Sequence, residues 1–375
     1  MEEAKTYKNI NISEPEDGVL EIEGEIKADV LEEHKDKVLD EIQEEFEADG
    51  FRKGNVPKDV IEERVGEEHI LNEAAQSALD EAYSQIVREH DLDIMSRPRV
   101  NITKLAAGNP LGFKINVGTV PEMDLPDYWE IAEDVRESRD ETPDEVSSEE
   151  VDKVMKYVQA QHAQQQGEDG GSQIATPGND AQAGQVPELT DEFVQQMGDF
   201  ENVAEFRKKI KQNLQQEKET QEKRKTRDEI MKRLIEETDI DVPEITIETQ
   251  LQSRLERLKQ SLEEKDSSME DYLDNIDKTE EEFIEEQKQA LEKQIKSKLI
   301  IEAIADEEDV EIDEDELERQ VNMLRMRDPE ADLEVIKAQA EKSLQNEEVL
   351  KMLDGTAGEE EEGEAGGQDS PIVTP

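Results

Sequence analysis

The chain has 375 residues, above the usual single-domain range, so two or more domains are expected. Its 44 Lys and Arg face 102 Asp and Glu, a formal net charge of −58, which excludes nucleic-acid binding through the surface at large. Apolar residues are 33%, about 38% with the 19 Gly counted, against roughly 45–50% in an average domain, and there is no Cys. Thin cores and much exposed chain are therefore expected, without disulfides or thiolate sites.

The opening MEEAKTYKNINISEPEDG has no apolar h-region, so no secretory signal is expected and a cytoplasmic location follows. Leu20, Ile22 and Ile26 then alternate as in a half-buried strand. Leu31, Val38, Leu39, Ile42 and Phe46 share a helical face that Asp49-Gly50 is expected to end. Pro57 suits the first turn of a helix carrying Val60, Ile61 and Val65, and beyond Gly66 a longer helix carries Leu71, Ala75, Ala78, Ala82 and Ile86. Val100 and Ile102 alternate again, as do Phe113, Ile115 and Val117 after a Gly108-Asn109-Pro110 turn. The order strand, strand, three helices, strand, strand predicts an α+β domain over residues 1–121, an antiparallel sheet backed by helices.

An extended connector leaves at Pro121, and residues 144–162 read as a helix with Val151, Val154, Met155 and Val158 on one side, giving a connector over residues 122–162. Residues 163–186 are rich in Gln, Gly and Asp, a flexible linker by composition. Residues 187–353 read as helix almost throughout, predicting an extended all-α domain with arms. Val203, Phe206, Ile210 and Leu214 start one helix, which then runs through QQEKETQEKRKTRDE, a stretch expected to be solvated and supported by ion pairs. Leu251, Leu255, Leu258 and Leu262 follow at heptad-like spacing and are expected to be buried, and Ile284, Leu291, Ile295, Leu299 and Ala303 line another helix. Residues 354–375, acidic and Gly-rich, are expected to be a disordered tail. No stretch approaches the ~18 apolar residues of a membrane span, so no membrane partner is expected.

Sequence motifs for catalysis are missing: no GxSxG, no HExxH and no GxxxxGK[ST] occurs. The four His, at positions 34, 69, 90 and 162, lack metal-ligand spacing and are expected on helix surfaces. The acidic run from Asp306 to Glu318 lacks the Gly and Asp/Asn ladder of a calcium loop and reads as an acidic helix start. No catalytic residue, metal site or cofactor is assigned. One segment stands apart, Gly50-Phe51-Arg52-Lys53-Gly54-Asn55-Val56-Pro57, between two predicted helices. Arg52, Lys53 and Lys58 interrupt a strongly acidic context, and Phe51 occupies a place where a plain turn has a polar residue. Two readings stand at this point: a Gly-capped turn with incidental charge, or a docking loop with an aromatic anchor and cations for phosphate or carboxylate partners.

GFRKGNVP resembles the signature loop G-F-R-x-G-x-x-P of the trigger factor family, ribosome-associated bacterial chaperones. Residues 187–214 and 237–251 are similar to the start of that family's helical domain and to the turn before its next helix. The resemblance implies ribosome contact near the polypeptide exit tunnel, with ribosomal protein and rRNA, through Phe51, Arg52 and Lys53, with Gly50, Gly54 and Pro57 shaping the loop. It implies nascent and unfolded polypeptides as clients, and off the ribosome a homodimer stays open. Met323 and Met326, near the Asp328-Pro329 turn, are the candidate exposed client-binding pair. The family normally inserts an FKBP-like prolyl isomerase domain between connector and helical body; here only residues 163–186 stand there, with no Trp, Tyr or Phe. A holdase without isomerase activity is the expectation. The alternatives are the family's usual isomerase chaperone and a helical scaffold unrelated to the ribosome.

Overall fold

Alternating Leu20, Ile22 and Ile26 do form a strand, and three other segments complete its sheet. The computed structural model describes residues 5–47, 51–139, 145–166, 189–195, 198–329 and 331–357. Strands β1 (Tyr7–Ile12), β2 (Val19–Ile26), β3 (Arg99–Lys104) and β4 (Leu111–Gly118) pair antiparallel in the order β1-β2-β4-β3. A two-residue Asp17-Gly18 turn, closed by reciprocal backbone bonds between Glu16 and Val19, joins the first two. Leu20 lies opposite Val117 and Ile22 opposite Ile115, so the apolar residues of both central strands share the buried face. Helices α1 (Ala28–Glu45) and α3 (Glu67–His90) cover that face, with α2 (Lys58–Val65) between them in the chain. Ala74, Ala75, Ala78 and Ala82 are buried, and their small size lets α3 lie close to its neighbours. The other face of the sheet is charged: Lys114 pairs with Glu21 at 2.7 Å and Glu23 at 3.4 Å across the strands.

Helix α1 stops at Glu45, earlier than Asp49-Gly50 led one to expect. Phe46 turns to extended backbone (φ −72°, ψ 131°), and its half-buried ring packs on the sheet-helix core.

Contacts divide the chain into two compact units, Met1–Asp124 with Thr238–Leu299, and Leu125–Glu237 with Ile300–Pro375. Compactness thus does not follow chain order. In the first unit, α8 (Glu244–Glu263) begins at Pro243 and buries Ile245 and Thr246 beside β4. Gly118 makes this approach possible, because a Cβ there would lie 2.2 Å from Thr246 Oγ1. Arg99 adds an ion pair to Glu248 at 2.6 Å. Of the four heptad-spaced leucines only Leu251 is buried; Leu255, Leu258 and Leu262 are half-exposed. The expectation of four buried leucines fails because α8 meets the sheet through its first turns. Helix α9 (Met269–Asn275) starts with a Ser268–Asp271 capping box, and α10 (Glu280–Glu307) follows, burying Leu291, Ile295 and Leu299.

The second unit contains α4 (Tyr128–Ser138), α5 (Ser148–Gln166), α6 (Asp191–Gln195), α7 (Val203–Glu237), α11 (Glu314–Arg327) and α12 (Leu333–Asp354). Helix α4 falls in the expected connector; Asp127 caps it by accepting from the Glu130 N–H at 3.0 Å, and Ile131, Ala132 and Val135 are buried. The predicted face of α5, Val151, Val154, Met155 and Val158, packs with Phe193, Phe206 and Ile210. Helix α7 is continuous for 35 residues, about 52 Å. Its charged middle does more than pair along its own surface. Lys218 reaches Glu150 of α5 at 2.8 Å, and Arg227 bridges Glu347, at 3.0 Å, and Asp354 of α12. The Lys218 ammonium, and then the Ser147 N–H and hydroxyl, hold the Glu150 carboxyl down to about 2. The Asp354 side chain is 1% exposed and also accepts from Thr356, so α12 closes on a buried carboxylate. Most of the expected linker and tail, residues 167–188 and 358–375, lies outside the described residues. Among the described residues no helix is long and apolar enough to cross a membrane.

Replacing Arg227 with Met leaves the Asp354 carboxylate buried without its cation. Urea unfolding should report a loss of about 3 kcal/mol. Arg227→Lys should recover only part of it, since a single ammonium does not reproduce a planar fork on two carboxylates. A midpoint unchanged in Arg227→Met would contradict this account of the α7–α12 contact.

Candidate functional site

The loop between α1 and α2 is built from a few local constraints. Asn55 donates its N–H to the Arg52 carbonyl at 2.9 Å, closing a four-residue turn. Gly54 occupies the third position with φ +81°, a conformation that a side chain makes costly. Val56 is fully buried in the sheet-helix core, and Pro57 caps α2, its carbonyl accepting from Val60 and Ile61. On the far side of that anchor, Phe51, Arg52, Lys53, Gly54 and Asn55 are all exposed, Phe51 to 44%. Arg52 and Lys53 have no ion-pair partner among the described residues. Gly50, expected at the entrance of the loop, lies outside the described residues.

Lys58 departs from the expected basic run. Its ammonium lies 2.7 Å from Asp40 and 3.2 Å from Asp36, both on α1, and the bond to Asp40 is the main cause of its raised pKa. Two of the three cations face solvent, and the third is spent inward. Gln43 Nε2 donates to the Val56 carbonyl, a contact that no sequence pattern signals.

The other candidates fall elsewhere. Met323 and Met326 on α11 are 50% and 82% exposed, and Leu333 and Val335 at the start of α12 are exposed too. His34 corrects the expectation of surface histidines: it is buried, with Nδ1 2.9 Å from Ser77 Oγ and Nε2 3.2 Å from Glu81. Its neighbours on α3 satisfy both ring nitrogens, which is what permits burial. His69 and His90 are exposed, and the His162 side chain lies outside the described residues. In the acidic run, Asp313 caps α11, and Glu308 accepts from Tyr128 Oη at 2.7 Å and Trp129 Nε1 at 2.9 Å. Those two donors, Tyr128 first, hold its carboxyl below the ordinary range. Among the described residues no group of three or more His, Asp and Glu is placed to hold a metal ion.

Among the described residues, the chain has a small α+β module that exposes an aromatic-cationic loop, and long, thinly covered helices. The family model for the bacterial trigger factor protein matches residues 8–158, and that for its C-terminus matches residues 202–354. The trigger factor of Frankia casuarinae is 27% identical over 347 residues, spanning 76% of this chain and 72% of the relative. That of Salinispora arenicola is 28% identical over 341 residues (74% and 76%), and that of Halothermothrix orenii 26% over 362 (76% and 83%). A solved trigger factor chaperone structure gives a TM-score of 0.46 at 16% identity, over 93% of this chain and 100% of that one. The chain belongs to the bacterial trigger factor family, and its role is that of a ribosome-associated chaperone acting on nascent chains.

Gly54→Ala should cost about 1 kcal/mol in urea unfolding, from the positive φ alone, because no atom lies within 4 Å of the added methyl. A cost near zero would show that the loop relaxes to another turn.

Proposed function

We propose that the chain docks on the ribosome beside the polypeptide exit through Phe51, Arg52 and Lys53. Gly54 and Pro57 shape that loop, together with Gly50 at its entrance. The observation that carries this reading is the loop itself: in a chain of net charge −58, it offers solvent an exposed aromatic and two cations that have no ion-pair partner among the described residues. Phosphates of rRNA and carboxylates of a ribosomal protein suit the cations, and an apolar cleft suits the ring. Residues 1–121 act as the docking domain, 122–162 as connector, 163–186 as a linking segment, 187–353 as the client-binding helical domain and 354–375 as a tail.

Holding, rather than prolyl isomerisation, is the activity. The two family matches leave residues 159–201 between them, short of the about one hundred residues that an FKBP-like domain occupies. Residues 163–186 also have no aromatic with which to line a proline pocket. Client segments meet exposed apolar side chains weakly and reversibly, Met323 and Met326 first, since unbranched thioethers adapt to varied partners. The protein works in the cytoplasm, and self-association to a dimer off the ribosome belongs to the same reading.

Co-sedimentation with bacterial ribosomes tests the docking role. Replacing Phe51, Arg52 and Lys53 together by Ala should abolish it while leaving helical content intact, and the wild-type interaction should weaken as salt rises. Undiminished pelleting of the triple variant would refute the assignment. In a proline-peptide assay the protein should leave the slow uncatalysed isomerisation rate unchanged; a rate that climbs with protein concentration would restore the isomerase reading.

A further inference from the structure

We propose that Gln43 and Lys58 are positioning residues of the docking loop: they fix its exit against α1 so that Phe51, Arg52 and Lys53 are presented in one arrangement. The inference rests on the docking role proposed above and goes beyond it, because neither residue belongs to the contact set.

Residues 51–55 are exposed throughout, so nothing packed over the loop holds it in place. Its order has to come from the two ends. At the entrance, Phe46 packs on the core as α1 terminates. At the exit, three ties converge within three residues. The Val56 side chain is fully buried, its carbonyl accepts from Gln43 Nε2, and Lys58 Nζ lies between Asp36 and Asp40 and also donates to the Asp36 carbonyl at 3.3 Å. Asp36, Asp40 and Gln43 recur at spacings of four and three, so all three partners stand on one face of α1.

The chemistry at each position fits this task. A carbonyl needs a donor. Glu41, Glu44 and Glu45 surround position 43, so a Lys there would be drawn to carboxylates, and a Glu could not donate. A neutral amide donates without being diverted. Lys58 is the converse case: a cation required only to bridge two carboxylates one helical turn apart. Fixing a loop before it binds removes ordering cost from the binding step, so these contacts should act on affinity without touching the ribosome.

The test uses the full chain and purified bacterial ribosomes, with affinity measured across a salt series. Gln43→Met and Lys58→Met should each weaken binding about tenfold at every salt concentration, through faster dissociation. The slope of log affinity against log salt should stay that of the wild type, whereas Arg52→Ala should reduce it by about one. Amide exchange at residues 51–56 should quicken in both positioning variants while that of the sheet and α3 stays slow. Wild-type affinity in Gln43→Met would overturn the proposal. So would a reduced salt slope in Lys58→Met, which would make Lys58 a contact residue, or faster exchange throughout the sheet, which would make both residues merely structural. The triple Ala variant keeps the two readings apart. If it still binds, docking through this loop is wrong and positioning falls with it; if it fails while Gln43→Met binds normally, only positioning is wrong.

Discussion

Positive charge is scarce in this chain, with 44 Lys and Arg among 102 carboxylates, and the placement of those cations governs both fold and site. Unpaired carboxylates repel one another, so a compact state of this composition is strained by its own field. Cations therefore act as ties between elements. Lys114 spans β2 and β4, Arg99 joins β3 to α8, and Lys218 and Arg227 fasten the middle of α7 to α5 and α12. Lys35 is the most enclosed of the lysines described: its bond to Glu62 links α1 to α2 and raises its pKa. Arg52 and Lys53, without an ion-pair partner among the described residues, stand side by side on one exposed turn next to an exposed aromatic.

The same composition explains how the helices are covered. With few apolar side chains available, several helices are buried over only part of their length. Helix α7 buries Phe206 and Ile210 near its start and Ile230, Met231 and Leu234 near its end, with charge between. Helix α11 has no buried residue at all, and α8 buries leucine only at Leu251 of its stripe. Such surfaces are poor at specifying one partner and suited to weak contact with many, the property required of a chaperone body. The loop at residues 51–57 is the opposite case: a closed turn, a buried Val56 and bonds from Gln43, Asp36 and Asp40 of α1 give a short exposed segment several local constraints.

Much of this could be read locally. The period-two strands, the buried face of α5, the end of the helical region near Leu353 and the GFRKGNVP loop each depend on residues within a few turns of one another, where periodicity and turn chemistry act directly. The Asp17-Gly18 hairpin and the Asp127 cap of α4 were equally local, and their signals stand in the sequence as Asp-Gly between alternating runs and as Asp ahead of an amphipathic stretch.

What the sequence alone determined was element type and the chemical character of the loop, because backbone preference and side-chain period are properties of neighbours in the chain. Tertiary structure decided which charges meet and which stay free. Lys58 sits in the same basic run as Arg52 and Lys53 and is set apart only by Asp36 and Asp40 on the preceding helix. His34 is buried only because Ser77 and Glu81 lie on the facing helix. Arg227 finds Asp354 at 127 residues' separation, and Thr246 packs on Gly118, which draws residues 238–299 into the same compact unit as the sheet. A carboxylate in this chain has dozens of equivalent competitors for each cation, so composition cannot choose the pair; proximity in the folded chain does.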